Sequence, residues 1–193
     1  SFIYDSYSCR LDKGTHRGVD ALARMINTVS RNNRKRCWVL KCDIRKFFGS
    51  IDHEILLASL SKNIFCKKTV LLLRNIIESF ETNSGKGIPL GNLTSQLFSN
   101  VYLDRLDQFA KRELGVKCHV RYADDILILH ADREYLERVL VQMSEFVQDK
   151  LQIKFHDHKT FFQKWHNGVD VLGYISFPYF RIMRTRTVRR MFK

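Results

Sequence analysis

The chain has 193 residues, 45% of them apolar, enough for a packed core and incompatible with a disordered or collagen-like polypeptide. Thirty-three Lys and Arg against 20 Asp and Glu give a formal charge of +13, which favours a polyanionic partner such as nucleic acid. No apolar run reaches the roughly 18–20 residues that span a bilayer. Residues 1–12 lack a basic segment followed by an apolar one, and the odd set Cys9, Cys37, Cys42, Cys66 and Cys118 has no C-x-x-C pair. The expectation is a cytoplasmic protein with reduced thiols and no membrane partner. A zinc site on Cys118, His119 or His156-x-His158 has little support.

From the N-terminus, Val19, Leu22, Ala23, Ile26 and Val29 form a helical stripe over Thr15–Ser30. Cys37–Asp43 reads as a short buried strand, and Ser50 or Asp52 as the N-cap of a helix carrying Ile55, Leu56 and Leu60. A second helix is expected over Lys67–Phe80, a glycine-rich loop over Asn83–Gly91, and a long helix opening at Thr94 or Ser95. Strands at Cys118–Tyr122 and Ile126–His130 flank Ala123-Asp124-Asp125, followed by a helix over Asp132–Lys150 and a strand at Leu151–Phe155. That order is a split βαβ pattern: an α+β fold with a ferredoxin- or RRM-like antiparallel sheet and helices on one face. Two hairpins are expected after it, Lys159–Tyr174 turning at His166-Asn-Gly168 and Tyr174–Arg184 turning near Pro178. Two basic runs, Arg31 to Arg36 and Arg181 to Lys193, are either solvated faces or phosphate contacts.

Asp124-Asp125 falls between two apolar strands in a turn without glycine. Adjacent carboxylates repel one another unless a cation neutralises them, although a solvated acidic turn is an equal reading of these two residues alone. Asp43 adds a third acid at the end of the strand expected beside that turn. Three hard oxygen ligands at one sheet edge suit Mg²⁺, and a pair of such ions suits phosphoryl chemistry at a 3′-hydroxyl.

At these residues the chain resembles reverse transcriptases. Tyr122-Ala-Asp-Asp125 followed by Ile126-Leu-Ile-Leu is similar to their catalytic turn, and Lys41-Cys-Asp43-Ile-Arg-Lys-Phe-Phe48 to the first catalytic motif of the bacterial branch that includes group II intron and retron enzymes. Gly87-Ile-Pro-Leu-Gly-Asn-Leu-Thr-Ser-Gln96 resembles the loop and helix supporting template and nucleotide, in the style of diversity-generating retroelements. Ser8 to His16, Lys159-Thr160 and Val171-Leu-Gly-Tyr174 are similar to the finger–palm block, the later palm lysine and the primer-gripping hairpin.

The resemblance implies an RNA-directed DNA polymerase of a bacterial retroelement, with an RNA template, a DNA or RNA primer, dNTPs and an accessory protein as partners. Asp43, Asp124, Asp125 and the Ile44 carbonyl would bind two Mg²⁺ or Mn²⁺ ions, and Lys159 would neutralise or protonate the leaving pyrophosphate. Arg10, Lys13, Phe48, Pro89, Leu90, Gly91 and Gln96 would line the nucleotide site, and Tyr122, Leu172, Gly173 and Tyr174 the primer and template. Phe48 is either a gate against the ribose 2′-hydroxyl or core packing. Leu90 stands where many viral and intron enzymes have Gln, which implies low-fidelity copying unless it is a packing residue. The expected organisation is partial fingers at 1–36, palm at 37–184 with finger helices at about 61–90, and the start of a thumb at 185–193. An RNA-dependent RNA polymerase and a non-catalytic, maturase-like RNA-binding module are the alternatives.

Overall fold

The computed structural model describes residues 2–192. Helix α1 (Thr15–Ser30) precedes strand β1 (Trp38–Cys42), then come a short α2 (Phe47–Ser50), α3 (His53–Ser61), α4 (Lys67–Glu78) and α5 (Leu93–Gln108), which runs on into a π-turn at Phe109–Glu113. Strands β2 (His119–Tyr122) and β3 (Asp125–His130), helix α6 (Arg133–Leu151) and strand β4 (Phe161–Lys164) complete the first sheet. Strands β5 (Val169–Val171), β6 (Tyr174–Ser176) and β7 (Arg181–Met183) form a second sheet, followed by α7 (Thr185–Met191).

The four-stranded sheet has the order β2-β3-β1-β4, all neighbours antiparallel, which is the expected split βαβ topology. Its two faces follow from strand alternation. Leu40, Cys42, Ile126 and Ile128 meet Phe98, Tyr102, Leu103 and Leu106 of α5 and Leu136, Val139, Met143 and Val147 of α6. Val39, Val120, Leu127 and Leu129 point the other way, onto Leu22 and Ile26 of α1 and Val169 and Val171 of β5. The helices of the βαβ frame thus share one face as expected, and α1 with the small sheet closes the opposite one. Asp52 and Asp132 cap α3 and α6, accepting from Ile55 N at 3.1 Å and Glu134 N at 2.9 Å, each worth about 1 kcal/mol.

Two expectations are corrected. Leu151–Phe155 is not the fourth strand: α6 runs through Leu151 and exits at Gln152 with φ 51°. The chain then passes beyond the end of β1, with Arg45 N donating to Lys154 O (2.9 Å) and His156 N to Asp43 O (2.7 Å). The edge beside β1 is taken instead by Phe161–Lys164. Nor is 159–174 one hairpin. Its two arms lie in different sheets, and the turn sits at Leu172-Gly173, joining β5 to β6. The second expected hairpin, β6–β7, is present. The five cysteines are free, with Cys37 and Cys42 buried and Cys9 and Cys66 exposed.

Candidate active site

The carboxylates come together through strand register. Cys42 pairs with Ile126 and Tyr122 with Asp125, so extending the β1–β3 register by one position sets Asp43 opposite Asp125. Paired Cα atoms in an antiparallel sheet are roughly 4.5–5.5 Å apart. Lys41, Asp43 and Asp125 have the parity of Val39 and Leu127, so they project on the face shared by α1 and the second sheet. Asp124 occupies the turn itself. The preceding Ala123 has φ 53°, a left-handed conformation costing roughly 1–2 kcal/mol for a residue with a Cβ.

Two lysines neutralise this edge. Lys159 Nζ lies 3.1 Å from Asp43 Oδ2, and Lys41 Nζ lies 3.4 Å from Asp125 Oδ1. Lys159 is 61% exposed, so its pair is weakly held and readily exchanged. Burial raises the Asp124 carboxyl above the usual carboxylate range; the charges of Asp125 and Asp43 raise it further, opposed by its own backbone N–H and by Lys159. Among the described residues no three His, Cys, Asp or Glu side chains form a ready metal cage. The donor set is nevertheless one that a hard cation fits: three carboxylates, one of them under charge repulsion from the other two. The two backbone bonds around the Ile44–Phe155 bridge run through Asp43, Arg45, Lys154 and His156, bypassing the Ile44 carbonyl.

The other sequence-predicted residues are spread over neighbouring segments. The Phe48 carbonyl accepts from Ile88 N at 2.9 Å, joining the first motif to the Gly87–Gly91 loop, and its half-buried ring packs edge-on to Phe47 at 5.4 Å. Gly87 serves the fold: a Cβ there would meet the Thr82 backbone nitrogen at 2.9 Å. Gly91 (φ 89°) faces open space, Pro89 is half-buried, and Leu90 is 76% exposed. Gln96 lines a small cleft with Cys9, Leu93, Thr94 and Leu97. Tyr122 Oη accepts from Thr15 Oγ1 at 3.3 Å. Leu172 and Gly173, with φ of 54° and 85°, form the tip of the β5–β6 hairpin, and Tyr174 lies beside His16. Lys41 Nζ also donates to Asp170 O at 3.3 Å, which ties that hairpin to the carboxylate edge. Arg10 and Lys13 are engaged elsewhere. Arg10 donates to the Ile3 and Ser6 carbonyls, and Lys13 donates to Tyr4 O and sits 3.2 Å from the Tyr4 ring centroid.

Sequence reasoning assigned no role to Lys41, though its place two residues before Asp43 on a strand puts both on one face. It also passed over Arg121, Asp107 and Asn100. Arg121 is fully buried and donates through Nε to both Asp107 oxygens (3.0 and 2.9 Å), and through Nη1 to Asn100 Oδ1 (3.1 Å) and Ala123 O (3.0 Å). The signal was the register: Arg121 opposite Ile126 must face α5, where only a buried acid could receive it. A cleft of about 680 Å³ between α3, α5 and α6 lies on that helical side and contains none of the three carboxylates.

Residues 1–176 match the family described as reverse transcriptase (RNA-dependent DNA polymerase). The chain belongs to this family. Among curated relatives, Protein YkfC of Escherichia coli is 20% identical over 220 residues, covering 94% of this chain and 56% of YkfC. The putative COX1/OXI3 intron 2 protein of Saccharomyces cerevisiae is 26% identical over 119 residues, covering 58% of this chain and 14% of that protein. The reverse-transcriptase chain superposes on apo telomerase from Candida tropicalis, truncated from its C-terminal domain, with a TM-score of 0.71 at 14% identity. That superposition covers 93% of this chain and 41% of the telomerase. The chain therefore spans about half, or less, of the proteins it resembles.

Proposed function

We propose that this reverse-transcriptase chain carries the catalytic centre of an RNA-directed DNA polymerase of a bacterial retroelement, extending a primer 3′-hydroxyl with dNTPs along an RNA template. The observation that supports this best is the shared sheet edge of Asp43, Asp124 and Asp125, set by the β1–β3 register in a chain of charge +13. Asp43 and Asp124, with Asp125 and the Ile44 carbonyl beside them, would hold Mg²⁺, which when bound activates the hydroxyl and offsets charge on the departing pyrophosphate. Lys159 supplies a mobile positive charge at Asp43 and is suited to meet the pyrophosphate as it leaves. Lys41 keeps part of the carboxylate charge balanced before substrate arrives. Phe48, anchored through its backbone to the Gly87–Gly91 loop, is suited to crowd a ribose 2′-hydroxyl. The basic segments flanking the palm supply contacts to RNA and primer phosphates.

The test is primer extension on an RNA template by the full-length parent with Mg²⁺ and dNTPs. Wild type is expected to extend and Asp124→Asn to fall to background, because the exchange removes a ligand charge without changing side-chain size. Absence of extension by wild type, with RNA binding intact, would replace this reading with that of a non-catalytic RNA-binding module. Preference for ribonucleotides over dNTPs would replace it with an RNA-dependent RNA polymerase.

Low-fidelity copying is part of the proposal. Leu90 is too exposed to serve core packing and has no side-chain group to hydrogen-bond a base pair or its surroundings. Leu90→Gln is expected to lower misincorporation several-fold in a sequenced cDNA pool with little change in extension rate. An unchanged error spectrum would remove Leu90 from the fidelity argument.

A further inference from the structure

A buried guanidinium stands directly behind the catalytic turn. Arg121 is 0% exposed, as is Asp107, whose two oxygens accept from Nε at 3.0 and 2.9 Å, with Nη2 in ion-pair contact with Oδ2 at 2.8 Å. Asn100 lies seven residues before Asp107 on the same face of α5; it accepts from Arg121 Nη1 and passes its own Nδ2–H to Ser8 O at 2.9 Å. The remaining contact of Nη1 leaves this group of side chains and goes to the Ala123 carbonyl at 3.0 Å. Ala123 is the turn residue held at positive φ, and its carbonyl belongs to the peptide leading into Asp124.

A buried ion pair is by itself weak evidence of a stabilising purpose, because well-packed apolar residues of similar volume often serve as well. The apolar substitute cannot donate to a backbone carbonyl, and a guanidinium does so with fixed planar geometry. We propose that Arg121 is the positioning residue of the catalytic turn: locked to α5 by Asp107 and Asn100, it holds the Ala123 peptide in its left-handed conformation and thereby fixes where the Asp124 carboxylate points. The proposal rests on the reading that Asp124 acts in nucleotidyl transfer.

The test compares wild type with two variants of the full-length protein: Arg121→Lys, and Arg121→Met combined with Asp107→Leu, which removes both buried charges together. Single-turnover primer extension at saturating dNTP and Mg²⁺ gives the rate. Backbone ¹⁵N order parameters of residues 123–125 report the turn, with residues 127–129 as the internal reference. Both variants are expected to bind primer–template as wild type does and to extend roughly 10–100-fold more slowly, the range typical of groups that orient a metal ligand. Turn order parameters are expected to fall from about 0.85 towards 0.6 while those of β3 hold. A wild-type rate in the paired apolar variant, or unchanged order parameters at the turn in both variants, would overturn the proposal. If wild type itself extends no primer, the functional reading fails instead, and the order parameters alone decide whether Arg121 holds the turn.

Discussion

Asp107→Asn is expected to lower the unfolding free energy by about 3–5 kcal/mol, the usual consequence of stripping one partner from a buried ion pair. The amide oxygen of Asn keeps one hydrogen bond to Arg121 but leaves a full positive charge with no counter-charge, at a position where both partners are sealed from water. Against a typical domain stability of about 5–15 kcal/mol this is a fifth of the total or more. Urea titration followed by circular dichroism measures it as a lower midpoint at unchanged slope. A midpoint equal to that of wild type would mean that the guanidinium finds water or another acid when Asp107 is neutral.

Stability is also expected to fall steeply with acid through a second member of the same cluster. His119 is 0% exposed, and neither ring nitrogen has a hydrogen-bond partner among the described residues; Asp107 Oδ1 is the nearest carboxylate contact, at 3.6 Å. Burial pushes the imidazole down to about 4, with Lys111 and Arg121 adding to the shift and Asp107 and Asp5 opposing it. The folded state thus keeps His119 neutral while the unfolded chain takes up a proton near pH 6.5. The unfolded state binds more protons between those values, so stability declines as pH drops from about 6.5 to 4 and gains nothing from this group above that window. The shift corresponds to about 3 kcal/mol at full effect. Denaturation midpoints of wild type and His119→Phe across pH 7 to 4.5 test this. The variant should show a flatter dependence, and parallel curves would assign the acid limb to other groups.

Much of the fold is legible in the residues because burial and periodicity agree. The α1 stripe and the three- and four-residue spacing of Leu136, Val139, Met143 and Val147 in α6 name the face that is buried, and the apolar run of β1 marks a strand covered on both sides. The fourth strand is not legible, because Leu151-Gln-Ile-Lys-Phe155 alternates as a half-buried strand should, while Phe161-Phe162 breaks alternation. What decides between them is where α6 ends relative to β1, a tertiary distance absent from local pattern. The carboxylate edge is legible because acids between apolar strands are locally costly and therefore conspicuous. Its support is not: Arg121 reads as one more residue of a basic chain until register turns it towards α5, and Asp107 reads as an exposed helix acid. Lys41 escapes notice for the same reason, since a lysine draws attention only when its neighbour across the sheet edge is known.

The contact between Lys41 and the Asp170 carbonyl dimensions one sheet against the other. Counting outward from it, Asp43 is two residues along β1 and the Leu172-Gly173 tip two to three residues along β5. These short counts act as a gauge that sets the span between the hairpin tip and the carboxylates. A chain of this design can lengthen at the exposed corner between α3 and α4 or at the Phe177–Phe180 tip without altering that span. Inside Lys41–Asp43 or Asp170–Gly173, a single inserted residue reverses strand parity and moves the tip or the acids to the wrong side. One added residue in either segment would therefore part the hairpin tip from the carboxylates.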